Sequence, residues 1–382
     1  MSKKVWYAPN KFESYGKEEI DAVIQCLNDG WLAGFGPKTI EFEEKVSKSF
    51  GKKYGVFVNS GSSACLLSLA SLQLPKGTKV LTPACTFSTT VAPIIQLGLD
   101  PVFCDVDINT YVPSVDTILN YITDDIKVIM LPNLIGNKPD WISLKNKLIE
   151  NNREDIILIE DSADTITTTI ETDISTTSFY ASHIITAGGT GGMVMFNDSK
   201  LRDVCLNFRD WGRIGDNSEI MSDRFNHSVD GIPYDHKFLY GVLGYNFKCG
   251  EMNAAFGLIQ MNKFEKFAKI RRANIERYLE RLKPYSDVIK LPNDSIKPNW
   301  LAMPLQYNDR YNLLNHLEKN NIQTRVTFAG NITRHPAYRQ YLQSFTNADT
   351  IMKNGFLLGS HHGINITDID YVCDTIINFI KK

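Results

Sequence analysis

The chain has 382 residues, 43% apolar and 22% charged, with a formal net charge of −2, the balance of a globular protein that dissolves in water. Its basic residues are dispersed without a polybasic tract, so neither nucleic acid nor an anionic membrane is an expected partner, and a small-molecule substrate is. No uncharged apolar run approaches the roughly 20 residues of a spanning helix, and the opening Met1-Ser2-Lys3-Lys4-Val5-Trp6 lacks the apolar stretch of a secretory leader, which predicts a cytoplasmic protein.

Apolar side chains recur at helical spacing in residues 17 to 28 (Ile20, Val23, Ile24, Leu27) and 38 to 50 (Phe42, Val46, Phe50). The glycine-rich stretch Gly30-Trp31-Leu32-Ala33-Gly34-Phe35-Gly36-Pro37 separates them, its Trp31 and Phe35 either lining a cleft or plugging the packing. From Tyr54 onward, short β-branched runs alternate with helix-like segments: Val56-Phe57-Val58, Lys79-Val80-Leu81, Val102-Phe103-Cys104, Val128-Ile129-Met130 and Ile156-Ile157-Leu158-Ile159. Continuously apolar strands separated by helices predict an α/β fold with a parallel sheet covered on both faces. Ligands of such sheets bind beyond the carboxyl ends of the strands.

Polar residues follow those ends. Asn59-Ser60-Gly61-Ser62-Ser63-Ala64 opens a helical pattern, and reads either as an anion site or as a serine cap. Thr86-Phe87 follows the second run, where an aromatic either stacks on a planar ring or joins the core. Glu160-Asp161-Ser162-Ala163-Asp164 ends the fifth run, and its Asp161 either pairs with a heterocyclic nitrogen or is a helix cap or a solvated loop acid. Next comes Thr177-Ser178-Phe179-Tyr180-Ala181-Ser182-His183, an imidazole five residues after a serine, and then the turn Gly188-Gly189-Thr190-Gly191-Gly192 before the apolar run Met193 to Phe196. Glycine at that density marks backbone that must pack closely.

Residues 213 to 240 read as a polar loop. Gly244-Tyr245-Asn246 leads into helices expected from Met252 to Phe267 and from about Ile270 to Leu282. Strand-like Leu301 to Leu305, a helix around Tyr311 to Leu317, strand-like Gln323 to Val326 and a helix from Ile366 to Ile380 complete a smaller α+β unit. The expected division is a large domain over residues 1–255 and a small one over 256–382. Seven cysteines stand singly with no C-x-x-C pair, so most are expected as buried free thiols and no metal site is expected.

Taken in order, Gly30-Trp31-Leu32, Asn59 to Ser63, Thr86-Phe87, Glu160-Asp161, Ser178-Phe179-Tyr180 and Gly244-Tyr245-Asn246 resemble the sugar aminotransferase family known as DegT/DnrJ/EryC1/StrS, over nearly the whole chain. The resemblance implies a fold type I aminotransferase architecture and a homodimer with active sites at the subunit interface. It implies that Gly61, Ser62 and Ser178 hold the phosphate of pyridoxal 5′-phosphate or pyridoxamine 5′-phosphate, joined by Asn246 of the second subunit. It further implies Phe87 stacked on the pyridine ring, Asp161 on its nitrogen and Asp164 beside the cofactor, with Trp31, Arg213, Phe328 and Arg334 meeting the substrate.

Where that family carries the lysine that holds the cofactor covalently, this chain has His183. Together with Arg209-Asp210-Trp211-Gly212-Arg213, Gly231 to Lys237 and Phe328 to Pro336, the histidine resembles the family's 3-dehydratase branch, which acts on nucleotide-linked 4-keto-6-deoxyhexoses. In that branch's cluster-bearing type cysteines follow Asp-Trp-Gly-Arg; here Ile214 to Ile220 contains none, so no iron–sulfur cluster is expected. The implied reaction removes the sugar's C3 hydroxyl, with His183 as the base at the cofactor's C4′ and L-glutamate restoring the amine, as in the dideoxysugar biosynthesis of O-antigens and capsules. The Gly188–Gly192 turn is one residue longer than the family's Gly-Glu-Gly-Gly and lacks its acid. Two readings stay open beside this one: an aminotransferase using a lysine elsewhere, the nearest downstream being Lys200, and a non-catalytic ligand-binding protein of the same fold. The nucleotide, GDP, CDP or dTDP, is open as well.

Overall fold

The structure, a computed structural model, describes residues 4–9, 11–215 and 218–381. Met1 to Lys3 of the opening stretch, and Asp216 and Asn217 of the cysteine-free segment, lie outside the described residues.

Seven strands make one sheet: β1 (Tyr54–Val58), β2 (Lys79–Pro83), β3 (Asp100–Cys104), β4 (Ile126–Pro132), β5 (Ile157–Asp161), β6 (Ile174–Ser178) and β7 (Gly192–Phe196). Their order is β1-β7-β6-β5-β4-β2-β3, parallel throughout except where β7 runs against β1 and β6. The continuous apolar runs of β4 and β5 follow from cover on both faces, and Val128, Ile129, Met130, Leu158 and Ile159 are wholly buried.

One strand hides from hydropathy. β6 is Ile-Ser-Thr-Thr-Ser, yet all five residues are buried. The Ser175 hydroxyl donates to Glu160 Oε2 at 2.8 Å and Thr177 Oγ1 to the Ser162 carbonyl at 2.8 Å, so the hydroxyls exchange water for internal acceptors. Register then fixes the site. Pro132, Asp161 and Thr176 stand abreast across β4, β5 and β6, and Gly192 faces both Val58 and Ser178. The carboxyl ends of β1, β5 and β6 thus meet the start of β7 at one edge of the sheet.

The helices Lys17–Asn28 and Pro37–Ser49 form as their periodicity predicts. The two helices expected between Met252 and Leu282 are instead one helix of 32 residues, Glu251–Leu282, because Ala268 and Lys269 between them supply no helix-ending residue. Its first half packs on the N-terminal helices: the Phe42 ring lies 2.6 Å from where a Cβ on Gly257 would be, and Gln260 Nε2 donates to Glu19 Oε1 at 2.8 Å. In its second half Arg277 and Arg281 pair with Asp370 of the final helix Ile366–Ile380, and Asn274 Nδ2 donates to the Ile364 carbonyl at 3.1 Å. The helix passes positions 255 and 256 unbroken. We propose that the large and small domains divide there all the same and share it as a common wall.

The polar loop over residues 213 to 240 contains a hairpin, β8 (His227–Val229) and β9 (Ile232–Tyr234). Asp230 and Gly231 at its tip both have positive φ, the Asp-Gly turn that joins tight hairpins. The smaller sheet has β10 (Ala302–Gln306), β11 (Thr324–Val326) and β12 (Gly355–Gly359), antiparallel in the order β10-β12-β11. Beside β11 runs the N-terminal segment: Val5 N–H donates to the Asn321 carbonyl at 2.9 Å and Tyr7 N–H to Gln323 Oε1 at 3.0 Å.

Candidate active site

A cavity of about 920 Å³ opens at the sheet edge where those strand ends meet. The helix Gly61–Ala70 starts on its wall. Ser60 is the cap, its Oγ accepting from the Ser63 N–H at 3.1 Å, while Gly61 and Ser62 line the cavity, where first-turn amides and the helix dipole favour an anion. Ser178 closes on this turn from β6. A Cβ on Gly61 would lie 2.6 Å from the Ser178 Cβ, and one on Gly192 would lie 2.3 Å from the Ser60 carbonyl oxygen, so both positions need glycine for the three chains to converge. The lengthened Gly188–Gly192 turn serves the same contact: Gly188, Gly189 and Gly191 all take positive φ, and Gly191 N–H donates to the Asn59 carbonyl at 3.0 Å.

Two carboxylates stand on the cavity's inner wall. Asp161 Oδ2 accepts from Thr90 Oγ1 at 2.8 Å; burial pushes its pKa up, against the Thr90 and Cys65 side chains and the Ala163 N–H. Asp164 Oδ2 accepts from the Ile135 N–H at 2.7 Å, and burial raises this carboxyl to about 7. His183 is mostly buried, its Nδ1 3.8 Å from Asp164 Oδ1, too far for a hydrogen bond. That nitrogen has no hydrogen-bond partner among the described residues. Burial, seconded by the buried Arg271 guanidinium, lowers the imidazole's pKa to about 4, so at neutral pH it is a free base.

Phe87, 54% exposed, presents its ring to the cavity and meets Phe328 edge-on, centroids 6.0 Å apart. The segment carrying Phe328 is sewn to the β2 loop by Ala329 N–H to the Thr86 carbonyl (3.3 Å) and Ile332 N–H to the Ala84 carbonyl (2.9 Å). The structure thus brings Gly61, Ser62, Phe87, Asp161, Asp164, Ser178, His183 and Phe328 to one space.

Four expected residues stay outside the cavity of this chain. The Arg334 guanidinium is taken by Asp349, Nη2 to Oδ2 at 2.7 Å, and its neighbours His335 and Pro336 reach the cavity in its place. Arg213 stacks over Trp211 at 4.5 Å, and Asn246 bridges to Asp210. Trp31 lies on the exposed Gly30–Pro37 loop. The motif residues Arg209 and Asp210 form a buried ion pair, Nε to Oδ1 at 2.9 Å, with Arg209 Nη1 also donating to the Phe57 carbonyl at 3.1 Å.

Sequence reasoning missed Tyr7, Arg325 and Tyr338, all of which line the cavity. A charged Arg325 within a short strand-like run was the available signal; Tyr338, whose hydroxyl lies 2.6 Å from Ser88 Oγ, carried none. All seven cysteines are buried free thiols, as expected. Among the described residues no helix is long and apolar enough to cross a membrane.

The donor set fits a phosphorylated pyridine: an anion cradle that any Cβ at Gly61 would fill, a buried carboxylate for a ring nitrogen, and an aromatic ring facing the same cavity. Comparison with known proteins agrees. The model of the DegT/DnrJ/EryC1/StrS aminotransferase family matches residues 13–377, and the chain belongs to that family. It is 34% identical to the lipopolysaccharide biosynthesis protein RfbH of Salmonella typhimurium, over 95% of this chain and 90% of that protein. It is also 34% identical to the dTDP-4-dehydro-2,6-dideoxy-D-glucose 3-dehydratase of Saccharopolyspora spinosa, over 91% of this chain and 81% of that one. The structure of E. coli GDP-4-keto-6-deoxy-D-mannose-3-dehydratase with bound hydrated PLP superimposes with a TM-score of 0.85 at 27% identity, covering 98% of this chain and 100% of that one. The fold is that of the pyridoxal-phosphate-dependent aminotransferases.

Proposed function

We propose that this protein is a cytoplasmic 3-dehydratase of a nucleotide-linked 4-keto-6-deoxyhexose, using pyridoxal and pyridoxamine phosphate with L-glutamate, in dideoxysugar biosynthesis of the O-antigen or capsule type. One observation carries the reading: the cavity that gathers Gly61, Ser178, Asp161 and Phe87 is lined by His183 and, among the described residues, by no lysine. The cofactor supplies an electron sink and a carrier for the amine.

The chain's residues supply the rest. Gly61, Ser62 and Ser178 hold the phosphate, and Asp161, raised by burial, gains in a protonated ring nitrogen the counter-charge it lacks. Phe87 covers one ring face. On this reading neutral His183 would take the proton at C4′ and hand one to the sugar's C3 hydroxyl, which would leave as water. Asn246, Arg213 and Trp31 lie away from this chain's own cavity, and a second copy would bring them to the neighbouring site. The hairpin β8–β9, all six strand residues exposed, supports such a homodimer, because a lone two-stranded ribbon has little stability in water. No iron–sulfur cluster takes part in this reading, since the seven thiols are buried singly and none follows Arg213 closely.

The test is to supply 4-keto-6-deoxy nucleotide sugars with glutamate and the cofactor, after chelation, and to follow sugar mass, 2-oxoglutarate and ammonia. A 3-deoxy product with release of ammonia is expected. An aminated sugar would pass the chain to the aminotransferases, and cofactor binding without turnover would make it a ligand-binding protein.

A further inference from the structure

Ile135, in the turn Leu134–Gly136 that follows β4, is wholly buried and takes φ 60° and ψ 6°. That is left-handed backbone, in which a side chain branched at Cβ is crowded by its own main chain. Strain of this kind persists only where the surroundings fix it, and it gathers at functional sites.

The hydrogen bonds of this one residue show what the conformation achieves. Ile135 N–H donates to Asp164 Oδ2 at 2.7 Å, and its carbonyl accepts from the Leu301 N–H at 2.7 Å, so it joins the loop after β5 to the lead-in of β10. The Leu301 carbonyl in turn accepts at 2.8 Å from Nη1 of Arg271, a buried residue of the helix Glu251–Leu282. A Cβ on Gly136 would lie 2.2 Å from the Asn299 carbonyl oxygen, so the turn rests directly on that lead-in. Extended or right-handed backbone at Ile135 would turn its N–H relative to its C=O and break one contact to keep the other.

With Oδ2 taken by Ile135, Oδ1 is the oxygen that Asp164 turns to His183, 3.8 Å from an Nδ1 with no hydrogen-bond partner among the described residues. Holding one oxygen restrains the carboxyl's rotation, and hence the direction from which the other meets the imidazole.

We propose that Ile135 is a positioning residue of the dehydration: held left-handed between Leu301 and Asp164, it sets the Asp164 carboxyl against His183 and makes that placement depend on how the β10 lead-in is seated. The role in dehydration rests on the function proposed above; the placing of Asp164 does not.

The groups facing the Asp164 carboxyl are Asp161 from the end of β5, His183 from the segment after β6 and Tyr7 from the N-terminal segment. An N–H on a carboxylate favours its charged form, so losing the Ile135 bond drives this carboxyl further above about 7. The test uses the full chain with ¹³C-labelled histidine rings, the His183 resonance being assigned by its loss in His183→Asn. In wild type that resonance should step near pH 7 as Asp164 gives up its proton. Ile135→Gly, free to leave the left-handed region, should move the step up by about one pH unit. It should also lower the kcat of dehydration about 10-fold with the KM for the nucleotide sugar unchanged. Ile135→Leu, which keeps the buried volume, should recover most of both. A wild type without the step overturns the proposal, and that measurement needs no variant. An unmoved step in Ile135→Gly overturns it too, as does a step that moves while kcat holds. If wild type dehydrates nothing yet the step is present and moves in Ile135→Gly, the placing of Asp164 stands and the dehydratase reading falls.

Discussion

Gly61 and Ser178 touch across the strand ends so closely that a single added methyl at position 61 would stand 2.6 Å from the Ser178 Cβ and 3.0 Å from its Oγ. The contact sets the width of the turn to which the proposed function assigns the phosphate. Gly61→Ala should cost about 1–3 kcal/mol in a denaturant titration and lose most cofactor binding, read from the visible absorbance of the loaded protein. Adding Ser178→Gly should restore stability, because the clashing Cβ is gone, but not cofactor retention. If the double variant is no more stable than Gly61→Ala, the contact is not what requires the glycine.

His183→Asn keeps the shape of the imidazole's near half and removes the base. Sugar dehydration should fall about 10²- to 10⁴-fold while cofactor binding holds, because Gly61, Ser62, Ser178, Phe87 and Asp161 are untouched. In wild type, borohydride treatment of the loaded protein should leave every lysine unmodified in the mass spectrum, and His183→Lys should acquire a cofactor adduct. Undiminished dehydration by His183→Asn would show that another group takes the proton.

Asp164 sets a pH signature. Its carboxyl, raised to about 7 chiefly by burial, holds its proton more tightly in the folded chain than in the unfolded one, where the value is about 4. The stability it contributes is therefore full below pH 4 and is lost as pH rises through 7. Asp164→Asn keeps an acceptor for the Ile135 N–H and carries no charge. The variant should be more stable than wild type at pH 8, by up to about 4 kcal/mol, with the gap closing towards pH 4. A gap that stays constant between the two would refute a raised carboxyl.

Much of the site was legible because strand ends, glycines and a lone histidine announce themselves locally: Gly61 and Asp161 follow apolar runs, and Ser178 and His183 precede the glycine-rich turn Gly188–Gly192. What stayed hidden depended on partners distant in the chain. Asp349 stands 15 residues beyond the Arg334 it holds, and no spacing rule joins them. Tyr7 and Arg325 meet only because the N-terminal segment lies along the lead-in to β11. β6 was masked by its hydroxyls, whose acceptors lie on neighbouring segments. The Asp230-Gly231 hairpin and β12, a Gly-Phe-Leu-Leu-Gly run, did carry local signals, an Asp-Gly pair between apolar residues and an apolar run between glycines.

The helix Glu251–Leu282 packs on the N-terminal helices with its first half and pairs with the final helix through its second, which should join both sides into one melting unit. At its start the Glu251 carboxylate accepts from the Thr39 N–H at 3.1 Å and the Gly36 N–H at 3.2 Å, anchoring the helix Pro37–Ser49; near its end Arg277 and Arg281 clasp Asp370. Neither half can come apart without stripping a face from a ladder of hydrogen bonds that the other half also needs. A scanning calorimeter should accordingly record one transition, and two separated peaks would mean that the helix parts near Ala268 and each half melts alone.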